Sequence, residues 1–325
     1  MDYKTGLITA GVAGLTAIAY AKLRSKASCK IAKDLTGQVV IITGANTGIG
    51  KETTRVLAQM GATVILACRD QEKTRFVLEE LKQGTKNDKI DFIRLDLSDL
   101  RSIKDFVEEF ERKYQTLNIL INNAGVGSVP TRKETKDGFE LVFGTNHLGH
   151  FYLTTLLLDT LKRSTHSRVI NVSSLMHKGC KMRWDDLMLE KSFNPIFTYS
   201  QSKLANVLFT KELQKRVVDS NIKVVALHPG TIHTELNRHF EEKWYFRIIF
   251  TAIINPAFGV FGKTRLQGAQ TTLYCALEDY DKLQAGGYYS DCKIAIASGE
   301  ACNEENAKKL WEVSEKLIAE KTRNF

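Results

Sequence analysis

Proline is scarce in this sequence, with 4 residues among 325, and no stretch rich in proline, glycine or serine divides the chain. Internal repeats and low-complexity tracts are absent as well. Linkers between domains usually have such compositions, so their absence favours a single folded domain. A chain of this length suits one large α/β domain with additions at its ends. We predict that domain over residues 34–325, after a separate segment at 1–33.

Paired cysteine motifs are also missing. The six cysteines include no C-x-x-C pair, and their spacing fits neither a zinc site nor a disulfide framework. Free thiols in a reducing compartment are the simpler interpretation. His147 and His150 have no matching cluster of further ligands, so we assign them packing or polar roles and predict no metal site.

Acidic residues are few near the N-terminus, where residues 1–33 contain six Lys or Arg and one Asp, in a chain of net charge +9. A basic cluster of this kind could contact nucleic acid or an anionic membrane surface. The sequence has no helix-turn-helix, zinc-finger or RNA-binding signature, which argues against nucleic acid as a partner.

Residues 7–21 form an uncharged run of 15 residues, shorter than the roughly 20 that a membrane-spanning helix usually needs. Lys4 and Lys22 could extend its reach by snorkelling to the interfaces. A cleaved signal peptide, with Ala19-Tyr20-Ala21 as its cleavage site, and an ordinary packing helix are the alternatives. The basic residues after the run favour a membrane anchor with the following domain on the cytoplasmic side.

Short apolar runs alternate with longer helical stretches from Gly37 onward. The predicted strands are 39–42, 63–67, 90–95, 119–121, 168–172 and 222–227, and the helices between them include 70–83, 99–114 and 198–218. This alternation predicts a Rossmann-type α/β fold, with a doubly wound parallel sheet and right-handed crossovers. Ligands of such sheets bind at the carboxyl ends of the strands.

A glycine-rich turn joins the first strand to the first helix. Glycines at this point allow the backbone to approach a pyrophosphate, and the helix N-terminus provides N–H groups and positive potential. The turn predicts a dinucleotide site whose contacts are Gly44, Asn46, Thr47, Gly48, Ile49 and Gly50.

The end of the second strand predicts which dinucleotide binds. An acidic residue there would bind the ribose 2′-OH of NAD, but this chain has Cys68-Arg69. A guanidinium can pair with a 2′-phosphate, so Arg69 favours NADP(H). Lys51 could add a second cation or lie exposed.

Tyr199 and Lys203 have the i, i+4 spacing that puts two side chains on one face of a helix. A nearby ammonium favours the phenolate, so we expect Lys203 to lower the pKa of Tyr199 from about 10. Tyr199 would then act as a general acid or base at physiological pH.

These motifs together resemble the short-chain dehydrogenase/reductase family over about residues 37–289. They are the T-G-x-x-x-G-x-G turn, Asn122-Asn123-Ala124-Gly125 and the Y-x-x-x-K pair. The resemblance implies a catalytic set of Tyr199, Lys203, Ser174 and Asn146, with Ser173 as the alternative serine. It adds as cofactor contacts Asp96 (unless it caps a helix), Leu97, Asn123, Ala124, Gly125, Pro229, Ile232 and Thr234.

Four segments narrow the resemblance to the retinol dehydrogenase branch of that family. They are residues 64–69, 145–151, 199–206 and 228–230. The branch implies NADP(H)-dependent interconversion of retinol and retinal at the endoplasmic reticulum membrane. Other lipid aldehydes, steroid ketones, a soluble carbonyl reductase and a non-catalytic NADP(H)-binding regulator are the alternatives, and a homodimer is left open.

Residues 244–261 are apolar and aromatic, with Arg247 as their only charge. They follow the sixth strand, where the family has its substrate lid, which we expect at about 235–265. A membrane-docking surface and a buried core helix are the other interpretations. A lid of this composition favours a lipophilic substrate.

Overall fold

A computed structural model describes residues 28–230, 263–323 and 325. Their strands form one eight-stranded sheet in the order β3-β2-β1-β4-β5-β6-β7-β8. The strands are β1 Val39–Thr43, β2 Thr63–Cys68, β3 Ile90–Arg94, β4 Ile119–Asn122, β5 Ser167–Val172, β6 Ile222–Leu227, β7 Tyr288–Ser290 and β8 Lys293–Ala295. The predicted Rossmann-type sheet of six parallel strands is confirmed. It is extended at one edge by β7, which is parallel to β6, and by the antiparallel β8.

Helices cover both faces of the sheet. The longer ones are α1 Gly48–Gln59, α2 Gln71–Thr85, α3 Leu100–Lys113, α4 Gly149–Leu156, α5 Leu158–Lys162, α6 Pro195–Arg216, α7 Arg265–Leu277 and α8 Glu304–Thr322. Several of these helices begin after a residue whose side chain caps the N-terminus. Asp70 accepts from the Lys73 N–H, Asp99 from two N–H groups of α3, and Asn194 from two of α6. Such caps pair backbone donors that have no partner inside the helix.

The apolar core is divided by the sheet into two layers. One layer packs strand residues such as Ile41 and Ile65 against α3, α4, α6 and α8. The other packs Val40 and Ile42 against α1, α2 and α7. Adjacent residues of β1 thus point to opposite layers, and both are fully buried. This explains why the strand is a continuous apolar run rather than an alternating one.

The sheet order reverses beside β1, which pairs with β2 on one side and β4 on the other. Crossovers therefore leave β1 and β4 in opposite directions, and a crevice opens at their carboxyl ends. The loops after β1, β2, β4, β5 and β6 all meet at this edge.

The predicted anchor (7–21), most of the predicted lid (235–265), Ile232 and Thr234 lie outside the described residues. Within the described part of the chain, no helix is both long enough and apolar enough to cross a membrane. Residues ahead of β1 are attached to α7. The Cys29 N–H donates to Gln270 Oε1 (2.7 Å), and Lys33 Nζ donates to the carbonyl oxygen of Leu277 (3.0 Å).

Candidate active site

The turn after β1 and the start of α1 require glycine at three positions. Gly44 and Gly48 have φ values of +65° and +55°, in the left-handed region that side chains disfavour. A Cβ on Gly50 would lie 2.3 Å from the Gly44 carbonyl oxygen. The first turn of α1 carries no acidic residue, so its positive potential is not offset there. The turn and the helix N-terminus together form a surface suited to a phosphate group.

The Thr43 hydroxyl joins this turn to the loop after β4. Its oxygen accepts from the N–H groups of Asn123 (2.9 Å) and Ala124 (2.8 Å) and lies 2.9 Å from His150 Nε2. The Asn123 side chain donates as well, from Nδ2 to the Thr43 carbonyl oxygen (2.8 Å). These bonds fix the two strand ends that border the crevice.

One cleft at this edge brings together most of the residues predicted from the sequence. It is lined by Gly44, Asn46, Thr47, Gly48, Ile49, Gly50, Arg69, Asp96, Leu97, Asn123, Ala124, Gly125, Tyr199, Lys203 and Pro229. Sequence reasoning missed Lys73, which also lines the cleft from the first turn of α2. The signal that could have found it is its position on the helix that starts just after Arg69.

The contacts of Lys51 and Asp96 decide between the alternatives that the sequence left open for each. Lys51 is not part of the cleft lining, and its Nζ forms an ion pair with Glu80 (2.6 Å). Asp96 does not cap a helix, because Asp99 caps α3. It accepts instead from the N–H (3.0 Å) and hydroxyl (2.6 Å) of Ser98, and this turn holds its carboxylate at the cleft.

The first three turns of α6 place Tyr199 and Lys203 together at the cleft. Lys203 Nζ lies 5.6 Å from the centre of the Tyr199 ring and donates to the Val172 carbonyl oxygen (3.1 Å). The Ser174 hydroxyl lies close enough to the Tyr199 phenol to lower the pKa of that phenol. The hydroxyl of the neighbouring Ser173 donates instead to the Lys203 carbonyl oxygen (2.7 Å), away from the phenol. A hydroxyl, a phenol and an ammonium therefore meet beside a dinucleotide-shaped cleft.

A family model described as short chain dehydrogenase matches residues 38–244. The chain belongs to this family. Curated relatives include retinol dehydrogenase 11 of Homo sapiens, 46% identical with 91% of each chain covered. Retinol dehydrogenase 12 of Homo sapiens is 47% identical with 89% of each chain covered. The predicted resemblance to the retinol dehydrogenase branch is thereby confirmed.

Solved structures agree on the fold. A protein from Mycobacterium paratuberculosis has a TM-score of 0.71 at 34% identity, covering 89% of this dehydrogenase and 96% of that chain. L-sorbose reductase from Gluconobacter frateurii, solved with NADPH and L-sorbose, has a TM-score of 0.63 at 20% identity, covering 80% and 96%. At that identity the likeness concerns the fold alone.

The pKa of Tyr199 in this dehydrogenase differs from the sequence expectation. Burial raises it to about 12, which the hydrogen bond from Ser174 only partly offsets. Burial also lowers the pKa of Lys203 to about 8. Desolvation disfavours both charged forms, and the ammonium does not hydrogen-bond the phenol directly. The described site therefore favours a protonated tyrosine, whereas spacing alone suggested an activated one.

Asn146 lies behind the cleft of the dehydrogenase rather than in its lining. It belongs to a π-helical turn, Gly144–Leu148, just before α4. Its Oδ1 accepts from the Val126 N–H (2.7 Å), and its Nδ2 donates to the Val126 carbonyl oxygen (2.9 Å) and the Ser202 hydroxyl (3.0 Å). The side chain thus ties the loop after β4 to α6.

Two histidines of the segment that follows Asn146, His147 and His150, are buried. His150 bonds Thr43 and the Asn146 carbonyl oxygen (3.0 Å), and His147 bonds the Ser314 hydroxyl (2.9 Å). Burial lowers the pKa of His147 to about 3 and that of His150 to about 4, so both are neutral at pH 7. No group of three potential metal ligands occurs among the residues described.

The turn after β6 is fixed by charged and polar contacts. The Gly230 N–H donates to His228 Nδ1 (3.1 Å), and His228 Nε2 bonds the Ser290 hydroxyl (2.8 Å). Lys263 packs against Gly230, which has a φ of +91°, and forms an ion pair with Asp291 (2.5 Å). These contacts hold Pro229 at the cleft wall.

Proposed function

We propose that this chain is an NADP(H)-dependent oxidoreductase that interconverts a lipophilic alcohol and its carbonyl compound, with retinol and retinal as the substrate pair. The observation that carries the proposal is that Tyr199 and Lys203 line the same cleft as Arg69, with Ser174 next to the Tyr199 phenol. The retinoid assignment is supported by the retinol dehydrogenases that share 46–47% identity with this chain.

The cleft fits NADP(H) at three points. The glycine turn leaves no room for a Cβ at Gly50 and presents the N-terminus of α1 to a pyrophosphate. Asp96 and Leu97 border the region after β3. Arg69 and Lys73 line the region after β2, where two cations suit the 2′-phosphate that distinguishes NADP from NAD.

The bound cofactor supplies the hydride for reduction and accepts it in oxidation. Tyr199 Oη gives its proton to the carbonyl oxygen during reduction, and the Ser174 hydroxyl donates a hydrogen bond to that oxygen. Lys203 stabilises the phenolate that remains. A phenol with a pKa of about 12 is protonated at pH 7, which suits the acid role in carbonyl reduction.

A turnover screen tests the activity. Purified protein is assayed with all-trans-retinal, a steroid ketone and a medium-chain aldehyde, each with NADPH and with NADH. We expect retinal with NADPH to give the highest kcat/KM. A higher value for the steroid ketone would reassign the substrate, and no turnover of any carbonyl would favour the alternative of a non-catalytic regulator.

Tyr199→Phe is the matched variant for the mechanism. It keeps the ring and removes the transferable proton, so turnover should fall by at least about 100-fold. NADPH affinity, followed by fluorescence titration, should change little. Turnover near the wild-type rate would refute the role of Tyr199 as the acid.

We further propose that residues 7–21 anchor the protein to the endoplasmic reticulum membrane with the catalytic domain, residues 34–325, in the cytoplasm. The support is the uncharged run followed by basic residues, together with the positive-inside rule. The apolar sequence at 244–261 is proposed to contribute lipophilic contacts to the substrate, within a lid at 235–265. Ile232 and Thr234, which precede this lid in the sequence, are proposed to contact the cofactor. Whether the protein acts as a homodimer is a separate question that sedimentation of the purified protein answers.

A further inference from the structure

His177 lies in the 3-10 turn Leu175–Gly179 that follows Ser174. Its side chain is fully buried, although Leu175 and Met176 beside it are exposed. The ring contacts Tyr288 of β7, with ring centres 4.9 Å apart. Neither the proposed proton transfer nor cofactor binding uses this histidine.

The partners of His177 determine its tautomer. Nε2 receives the backbone N–H of Ser298 (3.2 Å), so this nitrogen must be the unprotonated acceptor. Nδ1 therefore carries the hydrogen and donates it to the Ser174 carbonyl oxygen (2.7 Å). A neutral imidazole has one donor and one acceptor nitrogen, and both are used here. Burial lowers the pKa of His177, which favours this neutral form.

The second partner comes from a distant part of the chain. Ser298 is 121 residues after His177 and lies beyond residues 38–244, which the family model matches. It precedes the 3-10 turn Glu300–Cys302, which leads into α8. The imidazole thus connects the serine loop to a C-terminal segment that is itself anchored, because α8 packs on α6.

The Ser174 carbonyl accepts two hydrogens from the same residue, the His177 backbone N–H (3.2 Å) and Nδ1–H. Two bonds from different directions restrict the rotation of the peptide plane that follows Ser174. The orientation of that plane affects where the Ser174 hydroxyl lies relative to Tyr199. A hydroxyl that donates to a reacting oxygen is sensitive to displacements of about 1 Å, which can cost about 100-fold in rate.

We propose that His177 is a positioning residue for Ser174, through which the C-terminal segment at Ser298 sets the place of the catalytic hydroxyl. The proposal rests on the proposed function for its effect on rate, but not for the hydrogen-bonded link itself. It predicts that loss of the imidazole's bond to Ser174 and loss of its bond to Ser298 lower kcat by different factors.

Two substitutions separate the bonds. The amide of Asn reaches about as far as Nδ1, so His177→Asn can keep the bond to Ser174 and lose that to Ser298. The amide of Gln reaches about as far as Nε2, so His177→Gln can keep the bond to Ser298 and lose that to Ser174. We expect kcat for retinal to fall about 10- to 100-fold in His177→Gln and less than about fivefold in His177→Asn. KM for NADPH should stay within about twofold in both.

His166→Asn is the matched control, because His166 is exposed and lies on Tyr280 away from the site; it should leave kcat unchanged. Equal loss of kcat in His177→Asn and His177→Gln, at equal melting temperatures, would overturn the assignment. So would a wild-type kcat in His177→Gln.

Amide hydrogen exchange tests the link without any assay of turnover. The Ser298 N–H should exchange faster in His177→Asn than in the wild type and keep its protection in His177→Gln. If the Ser298 N–H keeps its protection in both variants, the link is overturned even if the enzyme is active. A wild-type protein that turns over no carbonyl but shows the expected exchange pattern would refute the proposed function and leave the link intact.

Ser298→Pro and Ser298→Ala provide a second test if the histidine is needed for folding. Proline removes the N–H donor without touching the imidazole, whereas alanine keeps it. We expect kcat to fall about two- to fivefold in Ser298→Pro relative to Ser298→Ala, as in His177→Asn, with KM for NADPH unchanged. Equal kcat in the two variants would overturn the proposal.

Discussion

Lys203 is a cation buried at the site, and its burial affects stability as well as catalysis. Only 3% of the residue is exposed, and Nζ donates to a carbonyl oxygen rather than to a carboxylate. Burial lowers its pKa from 10.5 to about 8. Below pH 8 the folded protein must hold a charge that the unfolded chain holds more easily, a cost of about 3 kcal/mol at most. Between pH 8 and 10.5 the unfolded chain binds more protons, so this cost fades as the pH rises.

We therefore predict that Lys203→Met stabilises the protein while it removes turnover. The free energy of unfolding at pH 7, from urea denaturation without added cofactor, should rise by about 1–2 kcal/mol. This is less than the full cost because the Val172 carbonyl loses one of its two side-chain donors and keeps Asn206 Nδ2. The gain should shrink towards zero by about pH 10.5. The control is Lys308→Met, since Lys308 is exposed on α8, and it should show no such pH dependence. An equal gain at both pH values would point to packing rather than charge.

Arg69 is the residue on which cofactor preference should depend most. A charge-assisted bond to a 2′-phosphate contributes roughly 1.5–3 kcal/mol, or about ten- to hundredfold in affinity. Arg69→Asp removes the bond and repels the phosphate. We predict that the ratio of kcat/KM for NADPH to that for NADH falls at least tenfold. An unchanged ratio would mean that Arg69 does not contact the 2′-phosphate.

Variants of two lysines test which second cation contributes to this cofactor preference. Lys73→Met should lower the same ratio by a smaller factor, because Lys73 lines the cleft beside Arg69. Lys51→Met should leave the ratio unchanged, because Lys51 pairs with Glu80 outside the lining. A larger effect at Lys51 than at Lys73 would reverse this assignment of the second cation.

At the scale of secondary structure, the six parallel strands could be predicted because five of them are short runs that are largely buried on both faces. The edge strand β3 is only partly buried, and its place in the alternation of strands and helices indicated it. β7 and β8 were not predicted, since three residues are too few to show a pattern. The π-helical turn before α4 has no local signal either. It is accompanied by tertiary packing, in which Gly149 lies so close to Leu97 that a Cβ would be 2.4 Å from its carbonyl oxygen.

The candidate site likewise combines local motifs, which the sequence shows, with long-range contacts, which it does not. The contacts of the cleft could be predicted because each motif is local, a turn or one helix face that directly follows a strand. The link from His177 to Ser298 could not, because it joins residues far apart in sequence. The raised pKa of Tyr199 was also missed, since desolvation depends on what the fold packs around the phenol.

The glycine turn leads to a prediction about the start of α1 and its affinity for NADPH. Gly50→Ala introduces a Cβ that would meet the backbone oxygen of Gly44 at 2.3 Å, so the turn and the start of α1 must shift. We predict at least a tenfold rise in Kd for NADPH, measured by fluorescence titration. Gly84→Ala is the matched control in α2, where a Cβ would meet nothing within 4 Å, and it should stabilise the protein by roughly 0.5–1 kcal/mol. Unchanged NADPH affinity in Gly50→Ala would contradict a phosphate contact at this turn.

At the scale of the whole molecule, both ends of the described chain are attached to the sheet's helices. α8 packs against α6, with Trp311 in contact with Phe151 and Phe209. The N-terminal residues lie on the other layer. Lys33 Nζ donates to the last carbonyl of α7 and pairs with Asp279 (3.2 Å). The folded unit therefore includes residues from about Cys29, ahead of the boundary at 34 that composition suggested.

This boundary decides how the proposed membrane anchor is best tested. Deletion of residues 1–27 removes the uncharged run and keeps the contacts of Cys29 and Lys33 with α7. We predict that the intact protein stays with membranes after washes in high salt and mild alkali, whereas the truncated protein is released and keeps its kcat with a soluble aldehyde. Deletion of residues 1–33 should release the protein equally but lower its melting temperature, because Lys33 is then lost from the end of α7. Equal sedimentation of the intact protein and both truncated forms would exclude residues 1–27 as the sole anchor, and the apolar segment 244–261 would then be the next segment to test.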